Sequence, residues 1–237
     1  MVEIKKAIFD DIANFYDDWY KTPLGNFADT VENNLIFKYL PELNGKKLLD
    51  VGCGTGHYSI RAYSRGATVT GMDFSEKMLY IAKEKAKLLS IPLNFILGDM
   101  DNIPFNDNTF DVVISVTSLE FSKNPKNPLK EFLRVLKPGC KAVIGVLSKT
   151  TLWSKKRVKQ AYSPDNIYFY AHFFEPKELK NLLIEAGFKS VIIDSSLFLP
   201  PNDNYTLPKF VFLREFLGRN FTPLKGAFIV GVGRKEK

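Results

Sequence analysis

Leu48-Leu49-Asp50-Val51-Gly52-Cys53-Gly54-Thr55-Gly56 is an apolar run of strand character that meets a turn with glycine at every second position. A short continuous apolar run suits a strand buried on both faces. Glycine is needed where the backbone turns sharply, or where a ligand presses against it and leaves no room for a Cβ. Asp50 stands at the strand end, placed to meet a cationic group, and Cys53 lies inside the turn. A dinucleotide fingerprint, G-x-G-x-x-G/A, would want a small residue at position 57, where a pyrophosphate approaches the following helix. His57 occupies that position, so the spacing favours a nucleoside that carries positive charge.

Working outward, hydrophobic periodicity predicts strands at 47–51, 68–72, 94–97, 112–116, 141–147, 189–194 and 227–233. It predicts helices at 9–20, 30–40, 58–64, 75–89, 128–136 and 176–186. Strand and helix alternate from 46 to 150, which implies right-handed crossovers and a parallel sheet covered on both faces, an α/β fold. Ser75 precedes one helix, Pro138-Gly139 follows another and Gly187 ends a third. The helical stretch up to 45 and the aromatic-rich stretch 150–175 fall outside the alternation and are candidate covers for a site.

Two acids fall where later strands end. Val69-Thr70-Gly71-Met72-Asp73 puts a carboxylate at the tip of the second strand, where doubly wound folds hold ribose hydroxyls. Gly98-Asp99-Met100 follows the third strand, where Asp99 could accept from an adenine amino group and Met100 could pack on the ring. Each acid alone reads as a turn or cap residue. Their order behind the glycine turn points to one ligand.

The 237 residues, 45% hydrophobic and 25% charged, suit one globular domain: 1–45 as a helical cover, 46–147 as the ligand-binding core, and 148–237 as a substrate-side cover with the final strands. Residues 1–11 mix Glu3, Lys5, Lys6 and Asp10 among apolar ones and lack a secretory core, and no stretch approaches a membrane span of about 18 apolar residues. A cytoplasmic protein is expected. Cys53 and Cys140 have no neighbours at metal-ligand spacing, so no metal is expected. The formal net charge of +7 would suit an acidic partner, yet Lys77, Lys83, Lys85 and Lys87 read as a solvated helix face. The denser group Lys149, Lys155, Lys156, Arg157 and Lys159 lies beyond a strand end and keeps nucleic acid open as a partner.

Five ordered blocks resemble the class I S-adenosylmethionine-dependent methyltransferases, in particular the small-molecule type that includes the ubiquinone and menaquinone C-methylating enzymes. They are Asp50–Gly56, Gly71-Met72-Asp73-Phe74-Ser75, Gly98-Asp99, Phe110-Asp111-Val112-Val113 and Arg134-Val135-Leu136-Lys137-Pro138-Gly139. The resemblance is strong over 46–147 and looser elsewhere. It implies S-adenosylmethionine as cofactor on a doubly wound, Rossmann-like sheet of seven mostly parallel strands, the last inserted antiparallel. It implies that Gly52, Gly54 and Gly56 admit the methionine part, that Asp73 holds the ribose, that Asp99 faces the adenine, and that Phe74, Met78 and Met100 sandwich the base. Tyr16-Asp17-Asp18-Trp19-Tyr20 resembles the family's helical N-terminal lid, with Tyr16 and Tyr20 as candidates to close over the sulfonium, a cation that an aromatic face suits.

Methyl transfer is an in-line displacement, so alignment and exclusion of water are the main demands and a general base is optional. The segment from Ser115 to Phe121 should border the transferred methyl, which brings Ser115 into the cofactor site. It lacks both the Asn/Asp-Pro-Pro-aromatic signature of enzymes acting on exocyclic base amines and a Pro-Cys nucleophile. Glu120 and His172 are the candidate catalytic acids or bases. Tyr168, Phe169, Tyr170, Phe173 and Phe174 either line an apolar acceptor pocket or belong to the core. The leading expectation is a small-molecule acceptor, with the acceptor atom left open among O, S, N and C. An RNA or protein methyltransferase using the basic 149–159 segment is the alternative, followed by a nicotinamide oxidoreductase, which His57 opposes, and by a binding-only sensor of the cofactor.

Overall fold

The structure, a computed structural model, describes residues 8–163, 166–201, 204 and 206–237. The expectations for residues 1–7, including Glu3, Lys5 and Lys6, and the part of the 150–175 cover at 164–165 lie outside the described residues.

Seven strands form one sheet: β1 (Lys47–Val51), β2 (Thr68–Asp73), β3 (Asn94–Leu97), β4 (Phe110–Val116), β5 (Leu136–Leu147), β6 (Lys189–Ser196) and β7 (Phe228–Arg234). Their order is β3-β2-β1-β4-β5-β7-β6. β1 to β5 run parallel, while β7 is antiparallel to both β5 and β6, as expected. Strand order reverses between β1 and β4, and at such a switch point the carboxyl ends of the strands open a crevice.

Alternate residues of β1 serve opposite faces. Leu49 and Val51 join a core with Leu129 and Phe132, and with Leu179 and Leu183, whereas Leu48 joins one with Leu35, Ile36 and Phe228. The helices behind these faces are α2 (Pro23–Tyr39), α3 (His57–Tyr63), α4 (Glu76–Leu88), α5 (Lys126–Val135) and α7 (Pro176–Ala186); α1 (Asp18–Lys21), α6 (Leu152–Gln160) and α8 (Val211–Phe221) complete the set. Phe132 is fully buried, so truncating it to Ala should cost about 3–5 kcal/mol.

Several boundaries differ from expectation for identifiable reasons. The 9–20 helix is broken: a helical turn at 8–12 gives way to a 3-10 turn at Ala13–Phe15 and then α1. α2 begins at Pro23 rather than 30, because Thr22 caps it by accepting from the Gly25 amide at 3.0 Å. Thr30 sits mid-helix, its hydroxyl donating to the Asn26 carbonyl at 2.8 Å. α5 stops at Val135 because Leu136 already pairs with Phe110 in the sheet. Ser75 caps α4 and Gly187, at φ +109°, ends α7, as read from the sequence. Helices α6 and α8 were not expected. Among the described residues no helix is long and apolar enough to cross a membrane, and no group of three or more His, Cys, Asp or Glu could hold a metal ion.

Candidate functional site

β1 ends at Val51, and the chain bends through Gly52, Gly54 and Gly56 at φ +70°, +52° and +82°. The amides of Gly52 and Cys53 both donate to the Met72 carbonyl, at 2.7 and 3.0 Å, which ties the bend to β2. The three glycines have different reasons to be glycine. A Cβ on Gly52 would fall 2.3 Å from the Ser118 Cβ, and one on Gly56 would fall 3.1 Å from Ala82 and Phe95. A Cβ on Gly54 would meet no protein atom within 4 Å. Gly54 alone of the three therefore faces open space, while Gly52 and Gly56 answer to packing within the protein.

Asp73 braces that bend. Its Oδ2 accepts from the Gly54 amide at 2.8 Å and its Oδ1 from the Ser75 amide at 2.9 Å. Burial raises its pKa against the pull of those amides. Asp50 is buried and accepts from the Ser59 hydroxyl at 2.6 Å, and burial pushes its pKa up to about 7. Burial also holds the Cys53 thiol well above its ordinary value, which keeps it protonated. Asp99 accepts from the Asp101 amide at 2.9 Å in the turn after β3.

These residues border three chambers in series. The first, about 380 Å³, is walled by Asp73, Phe74, Gly98, Asp99 and Met100. A neck of about 50 Å³ follows, between the glycine bend and Tyr16, Tyr20 and Met78, with Asp50 and Cys53 in its wall. The third, about 360 Å³, is walled by Trp19, Glu32, Trp153, Arg157 and Tyr168. Tyr16, Tyr20, Thr117 and Phe121 belong to both neck and third chamber, whereas Gly52, Asp73, Phe74 and Met100 belong to both neck and first.

The N-terminal segment makes the neck narrow. Phe9 packs edge-on against Phe74 and Phe121, with centroids 5.5 and 4.9 Å away, and Tyr20 lies 4.3 Å from the His57 ring. Polar contacts dock it on the core: the Thr55 hydroxyl donates to Asp17 at 2.7 Å, the Ser75 hydroxyl donates to Asp10 at 2.5 Å, and Lys85 pairs with Asp17. Tyr16 is hydrogen-bonded to the Thr117 side chain, and burial pushes its phenol up to about 12. Thr117 holds φ +49°, an unusual conformation for a β-branched residue, at the place where β4 meets the neck.

Three of the expected site residues lie elsewhere. Ser115 is buried behind the neck, sharing a 2.6 Å hydrogen bond with Ser118, and it is Thr117 and Ser118 that face the opening. Glu120 is fully buried on a 3-10 turn and reaches none of the three chambers; its Oε1 accepts from the Leu147 amide at 2.6 Å where β5 ends. A buried carboxyl with a backbone donor is a structural cap for that strand, and burial pushes its pKa up to about 7. His172 reaches none of them either; it is half-exposed, packed on Phe174 and bonded through Nε2 to Glu178 at 2.6 Å. Neither candidate acid or base has access to the cleft. Of the five aromatics, Tyr168 lines the third chamber, Phe173 and Phe174 are buried, Tyr170 is partly buried and Phe169 is exposed.

The basic segment is also divided. Arg157 is buried facing the third chamber and Lys149 approaches Glu175 at 3.7 Å, while Lys155 and Lys159 remain exposed. Sequence reasoning missed Asp10 and Asp17 as docking acids, and Glu32 and Trp153 as chamber walls. One available signal was the i,i+4 spacing of Trp153 and Arg157, which puts ring and guanidinium on one helix face.

A glycine bend and strand-end acids at the switch point of a doubly wound sheet define a Rossmann-like nucleoside-binding protein. Residues 49–144 match a family model described as a methyltransferase domain. The chain is 34% identical over 214 residues to the demethylmenaquinone methyltransferase of Staphylococcus epidermidis, covering 80% of this chain and 86% of that one. It is 27% identical over 212 residues to the ubiquinone biosynthesis O-methyltransferase of Coxiella burnetii, covering 86% and 89%. A solved SAM-dependent methyltransferase from Thermotoga maritima shares the fold, with a TM-score of 0.77 over 98% of this chain and 100% of that one at 24% identity. The chain belongs to the class I S-adenosylmethionine-dependent methyltransferases. It is a methyltransferase enzyme whose methyl donor is S-adenosylmethionine.

Proposed function

We propose that the chain transfers the methyl group of S-adenosylmethionine to an aromatic small-molecule acceptor held in the third chamber. The observation that carries this reading is the shared neck: Tyr16, Thr117 and Phe121 border both the glycine-bend side and the third chamber. When bound, the donor supplies an electrophilic methyl on a sulfonium. Gly54 leaves space for its amino-acid end, Asp73 and Asp99 accept from the ribose and adenine, and Phe74, Met78, Gly98 and Met100 enclose the base. Asp50, Cys53, Gly52 and Gly56 shape the bend. Tyr16 and Tyr20 present aromatic faces to the cation and close the neck against water.

In this reading residues 8–45 act as the lid, 46–147 hold the donor, and 148–237 supply much of the acceptor wall, so the chain works as one unit. Catalysis is by alignment, in keeping with a neck that neither Glu120 nor His172 reaches. The two relatives are named for the chemistry of quinone-type rings, and Trp19, Tyr58, Trp153 and Tyr168 give this chamber walls that suit a planar ring. Nothing favours an RNA or protein acceptor, because the basic segment is turned partly inward and is not a continuous exposed stripe. Two free cysteines, Cys53 and Cys140, suit a reducing cytoplasm. The test is incubation with methyl-labelled donor and a panel of phenols, quinols, thiols, amines and RNA. Label should enter an aromatic small molecule; labelling of RNA or protein alone would refute the reading.

A further inference from the structure

Arg157 is only 8% exposed, and its guanidinium carbon lies 5.1 Å from the Trp153 ring and 5.6 Å from the Tyr168 ring. Its Nη1 has no hydrogen-bond partner. A guanidinium stays charged at every accessible pH, and a buried charged donor left unmet is costly, so a partner is expected in the chamber it borders. Neither acid that interacts with it electrostatically hydrogen-bonds to Nη1. Burial pushes Glu32, in the same chamber wall, up to about 8, and Glu120 up to about 7, and both feel Arg157 electrostatically. The chamber thus presents an unmet guanidinium donor beside its aromatic walls.

We infer that the acceptor carries a carboxylate, which pairs with Arg157 Nη1 while its ring lies among Trp19, Phe121 and Tyr168. The inference rests on the third chamber being the acceptor site. A carboxylate offers the planar, paired oxygens that match a guanidinium edge. An ammonium group in the same place would be repelled by the guanidinium, and a neutral hydroxyl or carbonyl would give Nη1 only the weaker, uncharged kind of acceptor.

The chain has two tryptophans, Trp19 and Trp153, and both line this chamber, so intrinsic fluorescence reports its occupancy. Protein saturated with S-adenosylhomocysteine is titrated with 4-hydroxybenzoate, phenol and tyramine. 4-Hydroxybenzoate should bind at least about tenfold more tightly than the other two, the scale of one hydrogen bond to a charged group. Arg157→Gln should bring 4-hydroxybenzoate to the level of phenol while calorimetry shows unchanged affinity for S-adenosylhomocysteine, which also shows that the variant folds. Wild-type protein that binds phenol or tyramine as tightly as 4-hydroxybenzoate, or none of the three, would overturn the inference, as would an Arg157→Gln variant that binds S-adenosylhomocysteine and keeps the preference. Failure of wild-type protein to bind S-adenosylhomocysteine at all would instead defeat the donor site itself.

Discussion

Asp73→Asn separates the bracing duty seen in the structure from the ribose-holding duty proposed for the same side chain. The carboxylate braces the glycine bend through the Gly54 amide at 2.8 Å on one oxygen and the Ser75 amide at 2.9 Å on the other, the Phe74 amide also bonds to it, and a lone pair remains for a ribose hydroxyl. An amide keeps the shape but accepts through one atom only, so either the Gly54 or the Ser75 amide loses its acceptor. That loss should cost about 1–3 kcal/mol of stability. On the ligand side, losing one charge-assisted hydrogen bond of about 1.5–3 kcal/mol should weaken binding about 10- to 150-fold at 1.4 kcal/mol per decade. Urea unfolding reads the first effect, and calorimetric titration with S-adenosylhomocysteine reads the second. If the unfolding midpoint falls while affinity holds, Asp73 is a brace alone and the ribose assignment fails.

Other outcomes follow from the same geometry. Gly54→Ala should weaken S-adenosylhomocysteine binding with a smaller loss of stability than Gly52→Ala, whose Cβ would collide with Ser118; equal losses of stability and equal affinities would undo the division of roles among the glycines. Asp50, Glu120 and Glu32 hold protons in the folded chain to about 7, 7 and 8, above unfolded values of about 4. The folded state therefore binds more protons across that window, and unfolding free energy should fall as pH rises from about 4.5 to about 8. Below it the opposite holds, because Asp111, Glu131 and Asp194, with pKa values lowered by Lys137, Arg134 and Lys38 respectively, lose their stabilising contribution as they protonate. Glu120→Gln should flatten the upper slope in denaturation series at several pH values, and a slope left unaltered would contradict the buried-acid account. His172→Ala, which removes an exposed pair with Glu178, should change stability by about 1 kcal/mol at most and leave methyl transfer intact; a large fall in kcat would return His172 to the chemistry. Asp17→Ala removes the contacts to Thr55 and Lys85 and should speed release of S-adenosylhomocysteine in stopped-flow displacement; an unchanged rate would mean that the N-terminal segment does not gate the neck.

The seven strands were legible because each is an apolar run bounded by turn residues, and burial on both faces of the sheet imposes that pattern directly. Helix α8 was hidden for the opposite reason. Phe212, Leu213, Phe216, Leu217 and Phe221 are all exposed, so apart from Val211 its apolar residues trace no stripe against a core. Helix α6 reads Leu152-Trp153-Ser154-Lys155-Lys156-Arg157, and its charges suggest a solvated segment although Trp153 and Arg157 turn inward. At the site, the glycine bend and the acids at positions 73 and 99 were visible because consecutive strands deliver them in order. Glu120 and His172 were chosen by residue type, and type carries no information about direction: one side chain turns into the core and the other toward Glu178. Glu32 and Arg157 come from helices 125 positions apart, and only folding brings them to one chamber.

On this geometry one chain should hold one molecule of S-adenosylmethionine at the glycine bend, beneath the N-terminal segment. Isothermal titration of the full chain with S-adenosylmethionine and with S-adenosylhomocysteine tests it most directly. A stoichiometry of one ligand per chain, abolished or strongly weakened in Asp73→Asn and absent for NADH, is the predicted result. No heat of binding for either compound from folded protein would contradict it.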